Sequence, residues 1–188
     1  MKTTIIMGIP GCGKTSIIEL ALKKLKGEYK VVNFGTLMFL MLKEKKLVKT
    51  RDEMRKLNEQ IQIDAQEKAA EKIADLAKKQ NIIVDTHCSI QTTKGYVVGL
   101  PEPVLKKISP DQIILIEASS EEIFKRRVKD NTRARDADSV EGIEFHQQIN
   151  RNLALTFCVL TRAVFSIVHN KTGRLLIGSK ELAEIIHA

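Results

Sequence analysis

One segment constrains the fold of this chain more than any other: Gly8-Ile9-Pro10-Gly11-Cys12-Gly13-Lys14-Thr15. It matches the spacing GxxxxGK[ST], which has a physical meaning only between a strand and a helix. Both flanks are present. Thr4-Ile5-Ile6-Met7 is a short β-branched run, and Ser16 to Leu25 carries apolar residues at Ile17, Ile18, Leu20, Ala21, Leu22 and Leu25. The glycines admit positive φ and remove side chains, so successive N–H groups can turn onto phosphate oxygens. The following helix adds its positive N-terminal end. Lys14 then brings a cation to the β- and γ-phosphates, and the Thr15 hydroxyl is a ligand for Mg²⁺. A chance glycine turn would not need the strand before it and the helix after it. The segment predicts triphosphate binding and is silent on any acceptor.

The rest of the chain repeats the strand–helix alternation. Tyr29 to Phe34, Ile82-Ile83-Val84, Ile113 to Ile116 and Val164 to Val168 are short apolar runs between helical patterns. With the first run they make five strands, which predicts an α/β fold built on a parallel sheet with helices on both faces. A length of 188 residues suits a single domain over 1–188. Two stretches interrupt the pattern. Residues 50–79 are charged and helix-forming, a helical insertion between the second and third strands. Residues 129–139 (KDNTRARDADS) are polar and turn-rich and read as a short mobile cover. Pro101, Pro103 and Pro110 mark a loop and a short helix around Val104 to Ile108.

Several polar side chains fall where such a sheet would bring them together. Asp85 closes the third strand, and ligands of open parallel sheets sit beyond the carboxyl ends of the strands. Its expected role is to hold a water on Mg²⁺; an ordinary strand-end Asp capping a turn is the alternative. His87, two residues on, would donate to an acceptor phosphate or serve as a hydrogen-bonded loop histidine. Arg126, Arg127, Arg133 and Arg135 lie within ten residues of one another. Planar guanidinium groups stabilise the charge that builds on a moving phosphoryl group, and a cover excludes water. A solvated basic turn is the bland reading. Asp136 would pair with one of these arginines in a closed form.

Composition narrows the partners. The net charge of +8 fits nucleic acid, an anionic surface or polyanionic small substrates. Two Tyr and no Trp supply little for stacking on single strands, so small phosphates rank first. Cys12, Cys88 and Cys158 show no CxxC spacing, which fits a reducing compartment rather than a disulfide framework or zinc site. The thiols read as core fillers, that of Cys12 as incidental to its loop. No run approaches the length of a membrane span or a signal peptide, and a cytoplasmic location is expected.

Beyond the glycine loop, a specific set of segments occurs in order. These are Asn33-Phe34-Gly35-Thr36, Arg51-Asp52-Glu53-Met54-Arg55-Lys56-Leu57, Asp85-Thr86-His87, Thr93-Lys94-Gly95-Tyr96, Gly99-Leu100-Pro101 and Thr132-Arg133-Ala134-Arg135-Asp136. The set resembles the archaeal-type adenylate kinases nearly end to end. The resemblance implies the P-loop kinase fold, with strand order 2-3-1-4-5, a helical AMP-binding insertion over 35–80 and a short lid over 128–138. It implies ATP held by Gly8, Ile9, Pro10, Gly11, Cys12, Gly13, Lys14, Thr15 and Ser16. Gly35 and Thr36 would line the AMP site, Arg55 would bind the AMP phosphate, and Asp85 and His87 would stand beside it. Lys14, Arg127, Arg133 and Arg135 would act in catalysis, with Mg²⁺ on Thr15 and, through water, on Asp85. The reaction implied is ATP + AMP ⇌ 2 ADP, and such proteins are commonly homotrimers. Better-known bacterial and eukaryotic relatives carry an arginine after the third strand, where this chain has Thr86-His87-Cys88; His87, Arg55 or Arg151 would supply that charge. Two alternatives stay open: a kinase for CMP, UMP or a small hydroxyl metabolite, and an ATP-switched RNA-binding factor.

Overall fold

The computed structural model describes residues 1–129 and 139–188. Its strands are β1 (Thr3–Met7), β2 (Tyr29–Asn33), β3 (Asn81–Asp85), the short pair β4 (Ser89–Thr92) and β5 (Gly95–Val98), β6 (Gln112–Glu117) and β7 (Val164–His169). Five of them form one sheet in the order β2-β3-β1-β6-β7, with every pairing parallel. Counted along that sheet alone the order is 2-3-1-4-5, as the resemblance implies; the interposed hairpin only shifts the labels of the last two strands.

Parallel neighbours need long crossovers, and helices supply them. α1 (Lys14–Lys24) follows β1, and α2 (Phe34–Glu44), α3 (Arg51–Met54) and α4 (Glu59–Ala77) join β2 to β3. α5 (Glu102–Ile108) precedes β6, α6 (Ser120–Lys129) and α7 (Val140–Thr161) follow it, and α8 (Leu175–His187) follows β7. No helix among the described residues is long and apolar enough to cross a membrane.

The central strands are covered on both faces, which is why they read as unbroken apolar runs. Alternation along each strand decides which residue meets which layer. Ile5, Met7, Ile82, Val84, Ile113 and Leu115 pack with Phe34, Ile73, Leu105 and Phe157 of α2, α4, α5 and α7. Ile6, Ile83, Ile114 and Ile116 pack on the other side with Ile17, Ile123, Leu182 and Ile186 of α1, α6 and α8. A third, smaller cluster of Leu42, Val48 and Ala65, flanked by Met38, Phe39, Met54, Leu57 and Ile61, gives the α2–α4 region its own apolar centre.

Two features differ from the sequence reading. Phe34 opens a helix instead of ending a strand, because the Asn33 side chain accepts a hydrogen bond from the Thr36 N–H at 2.9 Å and starts α2 directly at the strand's end. Residues 89–98, to which the sequence assigned no element, form an antiparallel hairpin with Ser89 opposite Val98. Its turn contains Gly95 at φ +125°, and Lys94 N–H donates to Thr92 Oγ1 at 3.2 Å. Gly99, just beyond it, lies so close to the end of β3 that a Cβ there would stand 2.0 Å from the His87 carbonyl oxygen. That approach ties the hairpin to the strand end that carries Asp85.

Truncating a fully buried residue of the central sheet should be costly. Ile114→Ala, at 0% exposure, is expected to destabilise by about 2–5 kcal/mol. Urea unfolding should show a lower midpoint with an unchanged slope.

Candidate active site

The site begins where β1 runs into its loop. Gly11 and Gly13 hold φ of +90° and +84°, values that disfavour any side chain. At Gly13 space forbids one as well, since a Cβ would lie 2.2 Å from Asn170 Nδ2. Neighbouring elements tie back the loop's carbonyls. Arg127 donates to Pro10 O through Nε at 2.9 Å and Nη2 at 2.7 Å. Cys12 O accepts from Arg126 Nη1 at 3.1 Å and from Asn170 Nδ2 at 2.8 Å. In a trans peptide the C=O and the next N–H point in opposite directions. Pinning the carbonyls of Pro10 and Cys12 therefore turns the N–H groups of Gly11 and Gly13 the other way. α1 starts at Lys14 with no side-chain cap, so its first N–H groups are open to an anion.

Lys14 is 9% exposed and its ammonium touches the carboxylate of Asp85, also 9% exposed. Burial lowers the Lys14 pKa, to about 8; the carboxylate in contact works in the opposite direction and favours the charged ammonium. The second oxygen of Asp85 accepts from Asn33 Nδ2 at 2.7 Å. Asn33 and Asp85 are register partners at the ends of β2 and β3.

From Asn33 the contacts continue away from the loop. Its Oδ1 accepts from the N–H and the hydroxyl of Thr36, at 2.9 and 2.8 Å, and Arg51 Nη2 bonds the Thr36 hydroxyl. Gly35 and Thr36 thus open α2 beside the glycine loop, while Arg51 and the exposed Arg55 stand at either end of α3. His87 bonds Gly8 O through Nδ1 at 3.2 Å. Crowding around the ring, followed by the charge of Lys14, holds its pKa below the usual imidazole value, although more than a third of the residue stays open to solvent. Because Gly8 O can only accept, Nδ1 carries a proton in this bond, and His87 steadies the loop.

Glu117 closes β6 as Asp85 closes β3. It receives both Nε and Nη2 of Arg151 at 2.8 Å, and Arg151 Nη1 reaches Glu144 at 3.2 Å. Arg151, a candidate for the acceptor phosphate, is here a bidentate partner of a strand-end carboxylate. α7 also buries His146, Gln147 and Asn150. Ser89 of the hairpin bonds both His146 and Asn150, and Tyr96 lies over the His146 ring at 4.8 Å.

The structure brings together Gly8 to Ser16, Asp85, His87, Gly35, Thr36 and Arg127. Arg133, Arg135, Asp136 and most of the expected lid lie outside the described residues. The sequence reading missed Asn33, Arg51 and Asn170. Asn33 carried a signal, since Asn directly before a helical run is a preferred N-cap. Asn170 carried none, because its role depends on β7 ending beside β1's loop.

A parallel sheet in this order, with a phosphate-cradling loop after its first strand and an acidic residue ending the neighbouring one, defines a P-loop kinase. Solved structures agree on the fold. Shikimate kinase from Acinetobacter baumannii in complex with shikimate superposes with a TM-score of 0.60 at 12% identity, covering 100% of this chain and 93% of that one. Shikimate kinase from Bacteroides thetaiotaomicron gives 0.57 at 10% identity. A family model described as an AAA domain matches residues 7–144. Curated relatives define the family more closely. An adenylate kinase of Methanocaldococcus jannaschii is 46% identical over 188 residues, 98% of each chain. That of Methanothermobacter thermautotrophicus is 43% identical over 99% of this chain and 100% of its own. That of Pyrococcus horikoshii is 46% identical over 88% and 85%. The chain belongs to the adenylate kinase family.

The loop's geometry generates a direct test. Gly13→Ala should strain the αL backbone and collide with Asn170. ATP affinity measured by calorimetry is expected to fall by about tenfold or more, since strain of this kind costs about 1–3 kcal/mol.

Proposed function

We propose that the chain transfers the γ-phosphoryl group of ATP to AMP, giving two ADP. The observation that carries this reading is the contact chain from the glycine loop to α2. Lys14 sits on Asp85, Asp85 on Asn33, and Asn33 on Thr36. A donor cradle and the start of a second helical pocket therefore share one mouth, as a two-nucleotide reaction requires.

In this reading Gly8 to Ser16 hold the ATP phosphates, and Lys14 leaves Asp85 to follow the charge of the β- and γ-phosphates. Gly35 and Thr36 line the AMP pocket within the helical insertion over 35–80, and Arg55 meets the AMP phosphate. An oxygen of that phosphate attacks the γ-phosphorus, and the bond from the γ-phosphorus to the ADP oxygen breaks in line. Arg127, with Arg133 and Arg135 of the short lid over 128–138, spreads the charge that develops on the moving group.

The residues at the mouth fit Mg²⁺, a hard cation that takes oxygen ligands. Thr15 is exposed and its hydroxyl makes no hydrogen bond among the described residues. Asp85, in contact with the neighbouring Lys14, supplies an anionic oxygen that would act through water. A bound Mg²⁺ would supply neutralisation of the phosphate charge. A homotrimer is also proposed. Leu155, Val159 and Val164, at 51%, 82% and 63% exposure, put apolar surface on α7 and the edge strand β7, surface that a neighbouring subunit would cover.

Lys14→Met keeps the aliphatic stem and removes the charge. A coupled assay of ADP formation from ATP plus AMP is expected to show kcat lower by about 10²–10³-fold, with an unchanged circular dichroism spectrum. Folded wild-type protein that makes no ADP from AMP, but does from CMP or UMP, would move the acceptor; none from any monophosphate would end the reading. Light scattering should give a mass three times the 21.2 kDa chain.

A further inference from the structure

The geometry points to Asn33 as a positioning residue that fixes the Asp85 carboxylate and the start of α2 with a single side-chain amide. The inference rests on the phosphotransfer reading above and adds a residue to it. Asn33 is the last residue of β2 and the N-cap of α2 at once, because no loop separates the two elements. Register pairing with Asp85 sends both side chains to the same face of adjacent strands.

The amide has only one satisfactory orientation. Its oxygen accepts from two donors, Thr36 N–H and Thr36 hydroxyl, at 2.9 and 2.8 Å, and its nitrogen donates to Asp85 Oδ2 at 2.7 Å. Turning it over would set NH₂ against donors and oxygen against a carboxylate. The first turn of α2 therefore locks the amide, and the amide locks the carboxylate plane.

That lock matters because the other partner of Asp85 is the one with work elsewhere. When the Lys14 ammonium moves to phosphate, the Asp85 oxygen it held is released toward the mouth. Asn33 keeps the remaining oxygen occupied, so the released one stays aimed where a hydrated cation needs it. Without the amide the carboxylate is free to rotate about its last bond. The same amide ends on Thr36, whose hydroxyl also meets Arg51. The donor-side acid and the first turn of the acceptor helix are thus set by one group.

Asn33→Ser and Asn33→Asp separate this role from capping. Both retain an N-cap acceptor of comparable strength; Ser cannot reach Asp85, and Asp faces it with a like charge. Three quantities are measured for wild type and variants: the thermal midpoint, kcat with KM for each substrate, and ATP affinity by calorimetry with and without Mg²⁺. Asn33→Ser is expected to lower kcat about tenfold, the scale of one hydrogen bond to a charged group. Its KM for AMP should stay within about twofold of wild type, the signature of a group that acts after binding. The gain in ATP affinity from Mg²⁺ should shrink in parallel, and Asn33→Asp should lose more of both. Wild-type kcat and a wild-type Mg²⁺ gain in both variants would reduce Asn33 to a helix cap and overturn the inference. So would kcat losses that only track a loss of folded protein. If the wild-type chain itself makes no ADP, the functional reading has failed and the calorimetric comparison alone decides the role of Asn33.

Discussion

The buried contact between Lys14 and Asp85 is the interaction on which the rest of the site depends. Removing two charges from water is expensive, and a pair of this kind contributes little net stability compared with apolar packing. Its presence at the mouth of a largely apolar sheet is therefore better explained by what the pair can exchange than by what it holds together. An ammonium poised on one carboxylate can transfer to a triphosphate without ever being left bare. In the proposed reaction the carboxylate it leaves would keep the amide of Asn33 and would be open to a cation. Neither partner would then be left without a polar contact on either side of the exchange.

The sheet makes that exchange possible by placing strand ends side by side. β2, β3 and β6 close with Asn33, Asp85 and Glu117, and the glycine loop leaves β1 between them. Only a parallel sheet gathers so many carboxyl ends at one edge. The three polar ends have distinct tasks. Asp85 faces Lys14, Asn33 faces Asp85, and Glu117 is consumed by the bidentate hold of Arg151. Glu117 thus joins the sheet to α7, and its side chain is 5% exposed. Two acids at equivalent strand ends differ in partner, one held bidentately by an arginine and the other touching a lysine.

Much of this was legible in the residues. The glycine loop, its strand and its helix follow from local spacing, and unbroken apolar runs marked the buried strands. The rule that strand ends gather at one edge put Asp85 at the mouth of the glycine loop, where it meets Lys14. What could not be read involves partners distant in the chain. Asn170 reaches Cys12 O across 158 positions, and Arg151 reaches Glu117 across 34. The hairpin of residues 89–98 was missed because its side chains alternate weakly, Ser89 being buried while Gln91 and Thr92 are exposed. Its evidence lay in Gly99, whose need for a bare Cα only a packed structure reveals.

The arginines at the loop show why the type of cation matters. Arg127 sends two N–H groups to one carbonyl, Pro10 O, and Arg126 divides its two nitrogens among Cys12 O, Asn170 O and Thr172 Oγ1. A lysine could not hold its side chain in plane against such a set, whereas the guanidinium fork is rigid and never loses its proton. Carbonyls are neutral acceptors, and a guanidinium gains further attraction where its acceptor is ionised, as in an arginine–phosphate pair. The three acceptors around Arg126 hold that residue against the loop, and in the proposed reaction a phosphate oxygen would compete with Pro10 O for Arg127. Adjacent arginines on one helix are divided by their surroundings, one gripping the carbonyl of Pro10 and one bridging the carbonyls of Cys12 and Asn170.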